Sequence, residues 1–222
     1  MKLKGILFVM IACCLASCNW NSSGEDQPAI TTDTLKFTYK HIKQTKAGSQ
    51  IDISYPIFRS QPVLNDSLNN YLTGQKNTNQ NNDLHAVVLR QDSSLTIIEI
   101  NESAPGKNTV THFINWNTKK SKPILLSDIL VDQYSDSLNK VAETVFRQNE
   151  KLGASASLTS YNFKTGQFTL NNNYLITPIG LKFLFNAREV KPGTYGQLVV
   201  FVPYSQILSL LRPNTVVTQY HK

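Results

Sequence analysis

Beyond position 18 the chain has no cysteine. All three cysteines, Cys13, Cys14 and Cys18, are crowded near the N-terminus, so a domain built from the rest forms no disulfide and must stand on its own core. Histidine is also sparse. His41, His85, His112 and His221 show neither H-x-H nor H-E-x-x-H spacing, and without thiols a structural zinc site lacks ligands. No G-x-S-x-G elbow, Walker loop or dinucleotide fingerprint occurs. No apolar run reaches the roughly 20 residues of a membrane-spanning helix. No basic stripe with interleaved aromatics is present, which argues against a nucleic-acid partner. These absences point to no metal, no cofactor and no recognisable catalytic constellation.

What is present begins at the N-terminus. Lys2 and Lys4 precede the uncharged run ILFVMIACCLA. A basic segment followed by an apolar one of this length predicts a secretory signal peptide. It ends in Leu15-Ala16-Ser17-Cys18, which resembles a bacterial lipobox: an aliphatic residue, two small residues and the cysteine whose thiol takes the lipid. The expected organisation is a lipoprotein signal peptide over 1–17 and a mature chain beginning at a lipidated Cys18. Acyl chains at about 0.8 kcal/mol per buried CH₂ then give a firm membrane anchor. Losing Lys2 and Lys4 takes the 22 basic residues to 20 against 15 acids, and the net charge from +7 to +5.

Residues 18–34 are polar, which predicts a flexible tether that would lift the domain roughly 20 Å from the bilayer. The remaining chain is long enough for one core. Leu35–Ile42 and Ile51–Phe58 alternate as half-buried strands. Val63, Leu64, Leu68, Tyr71 and Leu72 fall at helical spacing, with Asn65, Asp66, Asn69 and Asn70 as the wet face and Gly74 as the stop. Strands are predicted at 84–90, 94–101 and 109–116. A long helix over 132–152 carries Tyr134, Leu138, Val141, Ala142, Val145 and Phe146 on one stripe. Further strands are predicted at 168–170, 173–177, 181–186 and 197–202, then a closing helix with Ile207, Leu208, Leu210 and Leu211 inward. The connections are short, so the fold class is α+β: a largely antiparallel sheet packed against helices in a single globular module. Its halves are 35–123 and 124–212, with a tail over 213–222.

Two sets of residues have binding chemistry. Trp116, Tyr161, Tyr174, Tyr195 and Tyr204 offer rings that stack on sugar faces, although such rings also build cores. Asp128, Asp132 and Asp136 recur every four residues, as a carboxylate cluster on one helix face or as acids flanking a helix start.

Three segments carry a resemblance. They are ISYPIFRSQPVLNDSLNNYL (53–72), PILLSDIL (123–130) and NYLITPIGLKFLFNAREVKPGTYGQLVVFVPYSQIL (173–208). In this order they resemble a family of paired domains of unknown function. The family is found in the extracellular module of the anti-sigma factor RsiV and the N-terminal module of the peptidoglycan deacetylase PdaC. The likeness spans about Leu35 to Arg212. It departs at Ser103-Ala104-Pro105-Gly106, where members carry a glycine-glycine-alanine-histidine stretch, and at Lys120-Ser121 of the hairpin. The resemblance implies an α+β module outside the membrane. It implies binding or sensing of peptidoglycan or a lysozyme-like protein, and the missing catalytic motifs favour binding without catalysis. The lipobox, with Glu25 and Asp26 too short and distant a cluster for a surface-export signal, points to an anchor in the outer membrane facing the periplasm. The alternative is an envelope hydrolase acting on glycan through an unrecognised site.

Overall fold

The structure, a computed structural model, describes residues 37–46, 49–74, 82–193 and 196–218. The chain divides into two units, Met1–Thr34 and Leu35–Lys222, and every described residue lies in the second. The signal peptide, Cys18, the tether and Tyr195 are outside the described residues.

Six strands form the main sheet in sequence order: β1 (Phe37–Lys46), β2 (Ser49–Phe58), β3 (Asn82–Gln91), β4 (Leu95–Ser103), β5 (Val110–Asn117) and the short β6 (Lys122–Pro123). Neighbours are antiparallel except β2 and β3, which run parallel because helix α1 (Pro62–Gly74) intervenes as a crossover. A bulge between Val88 and Arg90 interrupts the β3–β4 register. Helices α2 (Leu126–Ile129) and α3 (Tyr134–Asn149) follow, and then a second, antiparallel sheet of β7 (Tyr174–Ile176), β8 (Gly180–Phe185) and β9 (Leu198–Pro203). The α+β expectation is met, with the parallel pair as the exception within a largely antiparallel arrangement.

Strand alternation divides the interior into two cores. On one face of β4, Ile98 and Ile100 join Ile53, Tyr55 and Leu84 beneath Leu64, Leu68 and Leu72 of α1. The α1 contacts recur every fourth residue, as one helix face requires. On the other face, Leu95 and Ile97 join a larger core with Leu138, Ala142 and Phe146 of α3 and Leu181, Phe183, Val200 and Val202 of the small sheet. Phe146 is fully buried and its ring packs edge-on against Tyr161 and Phe163, at 5.1 and 5.5 Å between centroids. Gly180 opens β8 where no other residue fits: a Cβ there would lie 2.5 Å from the Val202 carbonyl oxygen.

Several expectations need correction. The stretch 168–170 is irregular, because the Leu170 N–H donates to Asn139 Oδ1 (3.0 Å) of α3 and Phe168 enters the aromatic cluster. The closing helix is two short 3₁₀ turns, Tyr204–Gln206 and Leu208–Leu210. Ile207 is buried between them, but Leu208 points outward at 59 % exposure. The long helix is shorter than expected at both ends. Asn65 and Asn69 are not merely a wet face. Asn65 pairs with both backbone groups of Phe58 at 2.8 Å, and Asn69 Oδ1 accepts from Tyr55 Oη at 3.0 Å.

The two sheets are joined mainly by asparagine side chains. Asn115 of β5 is buried; its Nδ2 donates to the Tyr174 carbonyl (2.7 Å), and its Oδ1 accepts from the Ile176 N–H (3.0 Å). Reciprocally, Asn173 Nδ2 donates to the Thr111 carbonyl (2.7 Å) and its Oδ1 accepts from the Phe113 N–H (3.0 Å). Asn186 Oδ1 accepts from the Thr111 N–H at 2.8 Å. Each amide presents one donor and one acceptor, as a strand would: Asn173 and Asn186 to the edge of β5 that β6 is too short to reach, and Asn115 to the facing edge of β7.

Asn115→Ala leaves a buried carbonyl and a buried N–H without partners, at about 1–3 kcal/mol each. Urea denaturation should show a loss of about 2–6 kcal/mol, while Asn70→Ala on the exposed side of α1 should stay within about 0.5 kcal/mol. In the second core, Phe146→Ala should cost about 3–5 kcal/mol, and Lys140→Ala on the outer face of α3 should be near neutral in the same assay.

Candidate functional site

A groove of about 520 Å³ runs beside the amide junction. Its walls come from five places: Ser67 and Tyr71 of α1, Phe113 to Trp116 of β5, the segment from Pro123 to Ser127, Tyr134 of α3, and Asn172 with Tyr174 at the start of β7. Tyr71, Phe113, Ile114 and Tyr134 are half-buried, whereas Leu125 is 60 % exposed. The lining is aromatic and aliphatic, punctuated by the amides of Asn115 and Asn172 and the hydroxyl of Ser67. Among the described residues it contains no carboxylate, ammonium or imidazole. Rings that offer flat apolar faces beside amides and hydroxyls suit a ligand with apolar faces and polar edges.

Local folding explains the placement. Tyr71 is half-buried on α1, between fully buried Leu68 and Leu72, and its ring meets His112 edge-on at 6.1 Å. Its hydroxyl pKa lies above the ordinary value, first through burial and then through the nearby Glu102 charge. Leu125 precedes the single turn of α2, where Asp128 Oδ2 accepts from the Leu125 N–H (2.9 Å) and Lys122 pairs with Asp128 Oδ1 (2.7 Å). That brace turns the Leu125 side chain outward. Tyr174 Oη donates to the Ile124 carbonyl at 2.7 Å and fastens the same wall from behind.

The aromatic set predicted from sequence divides. Trp116 and Tyr174 reach the groove but lie beneath it, at 1 % and 5 % exposure, so they support its floor and do not offer open faces. The indole Nε1 of Trp116 has no hydrogen-bond partner among the described residues. Tyr204 is fully buried in the second core. Tyr161 stands apart, in the cluster around Phe146, and its hydroxyl donates to Glu150 Oε2 (2.9 Å), which also pairs with Lys191 (2.5 Å). A single tyrosine-lined glycan groove built from this set is therefore corrected. The half-buried rings at the groove belong to Tyr71, Tyr134 and Phe113.

The aspartates do not share one helix face either. Asp128 lies in α2, Asp132 lies between the helices and pairs with Arg212 (2.5 Å), and Asp136 lies exposed in the first turn of α3. The polypeptide breaks between α2 and α3 at Gln133, whose φ is +60°. Burial would raise the Asp128 carboxyl, but the Leu125 N–H and Lys122 outweigh it and hold the pKa below the usual value. Among the described residues no group of three or more acidic, histidine or cysteine side chains could hold a metal ion.

The sequence offered a weak signal for the groove. Tyr71 and Tyr134 stand at the edges of apolar helical stripes, where a ring is half in and half out. Nothing in the sequence alone brings those two edges together.

The tyrosines give a test in alkali. Burial and the Glu150 carboxylate push the Tyr161 pKa up to about 12. Tyr174 is pushed higher still, by burial first and then by Asp128. A folded pKa above the unfolded value of about 10 means that the native state holds its proton longer. The stabilisation is complete below pH about 10 and is lost as pH rises towards 12. Denaturation midpoints measured from pH 8 to 11.5 should fall above pH 10, and Tyr161→Phe should flatten the fall.

Residues 127–205, from α2 to the turn after β9, match the family described as protein of unknown function DUF3298. No curated protein matches the chain. A DUF3298 family protein from Pseudomonas aeruginosa PAO1 is similar in structure, with a TM-score of 0.63 at 18 % identity, over 80 % of this chain and 95 % of that one. A member of the same family from Bacteroides fragilis NCTC 9343 gives a TM-score of 0.59 at 15 % identity, over 83 % and 97 %. At such identities the likeness carries the fold, and it extends the similarity beyond the matched segment to most of the chain. The resemblance to a domain of unknown function therefore stands, while none of these likenesses reaches RsiV or PdaC.

Proposed function

We propose that this protein is a lipid-anchored binding module of the bacterial cell envelope, held in the membrane through Cys18 and facing the periplasm, and that it binds the glycan of peptidoglycan without turning it over. The observation that carries this reading is the groove lining: half-buried Tyr71, Tyr134 and Phe113 beside the exposed amide of Asn172 and the hydroxyl of Ser67, with no charged group among them. A glycan strand presents apolar sugar faces with hydroxyls and amides at their edges. Rings stack on the faces, and side-chain amides pair with the edges, each ring contributing about 0.5–1.5 kcal/mol. The groove lining supplies no pair of groups for general acid–base chemistry, which favours retention over hydrolysis. The lipobox at Leu15–Cys18 and the polar stretch after it favour a site held within reach of the cell wall. A basic lysozyme-like protein is the poorer fit, because Asp128 and Asp132 are already paired with Lys122 and Arg212.

Co-sedimentation with purified peptidoglycan tests the reading. The wild-type chain should pellet, with little change between low and moderate salt, since no charge lines the groove. Tyr71→Ala and Tyr134→Ala should each weaken binding by roughly 2- to 12-fold. Undiminished binding by both variants would overturn the assignment to this groove. Release of soluble fragments would replace binding by hydrolysis, and capture of lysozyme in place of peptidoglycan would move the partner to a protein.

A further inference from the structure

A second cleft, of about 530 Å³, lies on the other side of the amide junction and has a different chemistry. One wall carries Glu99 and Asn101 of β4 with Thr111 of β5. The other carries Lys182 of β8, Val199 of β9 and Gln197 just before it. A directed chain of hydrogen bonds crosses between the walls. Gln197 Nε2 donates to Thr111 Oγ1 (2.8 Å), Thr111 Oγ1 donates to Asn101 Oδ1 (2.7 Å), and Asn101 Nδ2 donates to Glu99 Oε1 (2.6 Å). Every donor in the chain points towards the carboxylate, so the links polarise one another and hold Glu99 in a single orientation. Glu99 and Lys182 are both half-buried, and neither has an ion-pair partner among the described residues.

We propose that this cleft binds a zwitterionic ligand, a short peptide with both termini free, with its ammonium on Glu99 and its carboxylate on Lys182. A half-buried carboxylate held in place by three successive hydrogen bonds has already met the ordering cost of receiving a cation. An ammonium on the opposite wall, with no acid of its own, matches the other end of such a ligand. A dipeptide places its charges roughly 7 Å apart, and the cleft volume falls within the range of about 300–1,000 Å³ usual for small-ligand sites. Leu184 and Val199 supply an apolar surface for the side chains between the two charges. The site shares no charged residue with the aromatic groove, and the proposal does not depend on glycan binding there.

Titration calorimetry and amide chemical shifts of the full chain in detergent micelles, with three probes, test this. The probes are alanyl-alanine, its N-acetyl derivative and its C-terminal amide. Alanyl-alanine should bind saturably and shift the amides of Glu99, Lys182 and Gln197, and each capped probe should bind at least about tenfold more weakly. Glu99→Gln should abolish the advantage of the free ammonium, and Lys182→Met that of the free carboxylate. Tyr71→Ala should leave dipeptide binding unchanged, which separates failure here from failure of the glycan groove. Equal binding of all three probes, or no saturable response at millimolar concentration, would overturn the proposal. Preserved binding in both charge variants would overturn it as well.

Discussion

The arrangement of the two sheets depends on pairing backbone groups with side-chain amides. The outward edge of β5 has N–H and C=O groups that β6, two residues long, covers only at Trp116 and Asn117. Left unpaired and buried, such groups cost about 1–3 kcal/mol each. Asn173 and Asn186 close that edge at Thr111 and Phe113, and Asn115 reaches back to Tyr174 and Ile176. An asparagine amide has the same donor and acceptor as a peptide unit, but it stands off its own backbone by a side chain. The sheets are therefore tied without becoming one ladder. The same device recurs where Asn65 of α1 closes both groups of Phe58 at the end of β2.

This junction lets one sheet serve two cores. Along β4, Ile98 and Ile100 face α1 while Leu95 and Ile97 face α3 and the small sheet. Such a strand must be apolar on both faces, and TIIEI departs from simple alternation accordingly. The strand stops being two-sided at Glu99 and Asn101, where the second face leaves the core and borders the polar cleft. Burial and exposure on the same face of the same strand are thus decided by how far the small sheet extends over it.

Periodicity made the elements legible. Leu64, Leu68 and Leu72, and likewise Leu138, Ala142 and Phe146, announce buried helix faces at four-residue spacing, and both helices lie where that spacing places them. Alternation found the strands of the main sheet to within a few residues. It failed at 168–170, where the apolar residues belong to an aromatic cluster pinned by Asn139. It also failed at Leu208, where 3₁₀ geometry turns a residue outward that an α-helix would bury. The parallel β2–β3 pair could be read from the intervening helix only by giving that helix more weight than the hairpin-short connections elsewhere. The candidate sites were much less legible. Sequence marks Trp116 and Tyr174 as rings; it does not mark them as floor, because burial depends on the Ile124 wall that Tyr174 itself fastens. Asparagine is the least legible of all, since the same residue type stands exposed at Asn70 and buried at Asn115.

Both grooves follow from the junction. Phe113 lines each of them, because it sits on the tied edge with open space to either side. Had β5 and β7 paired directly, strands about 4.8 Å apart would leave no room for a ligand between the sheets. Spacing them by amide side chains opens a gap on each side, and the flanking elements then determine its chemistry. On the side of α1 and α2 the neighbours are apolar helix edges, and the groove is aromatic and uncharged. On the side of β8 and β9 the neighbours are strand residues alternating outward, and the cleft is polar and carries both signs of charge. A substitution such as Asn115→Ala therefore acts on more than stability: Asn115 lines the aromatic groove as well as tying β7, so the shape of that groove should change with the junction, while the polar cleft, bounded by Thr111 with its own ties to Asn173 and Asn186, should be spared.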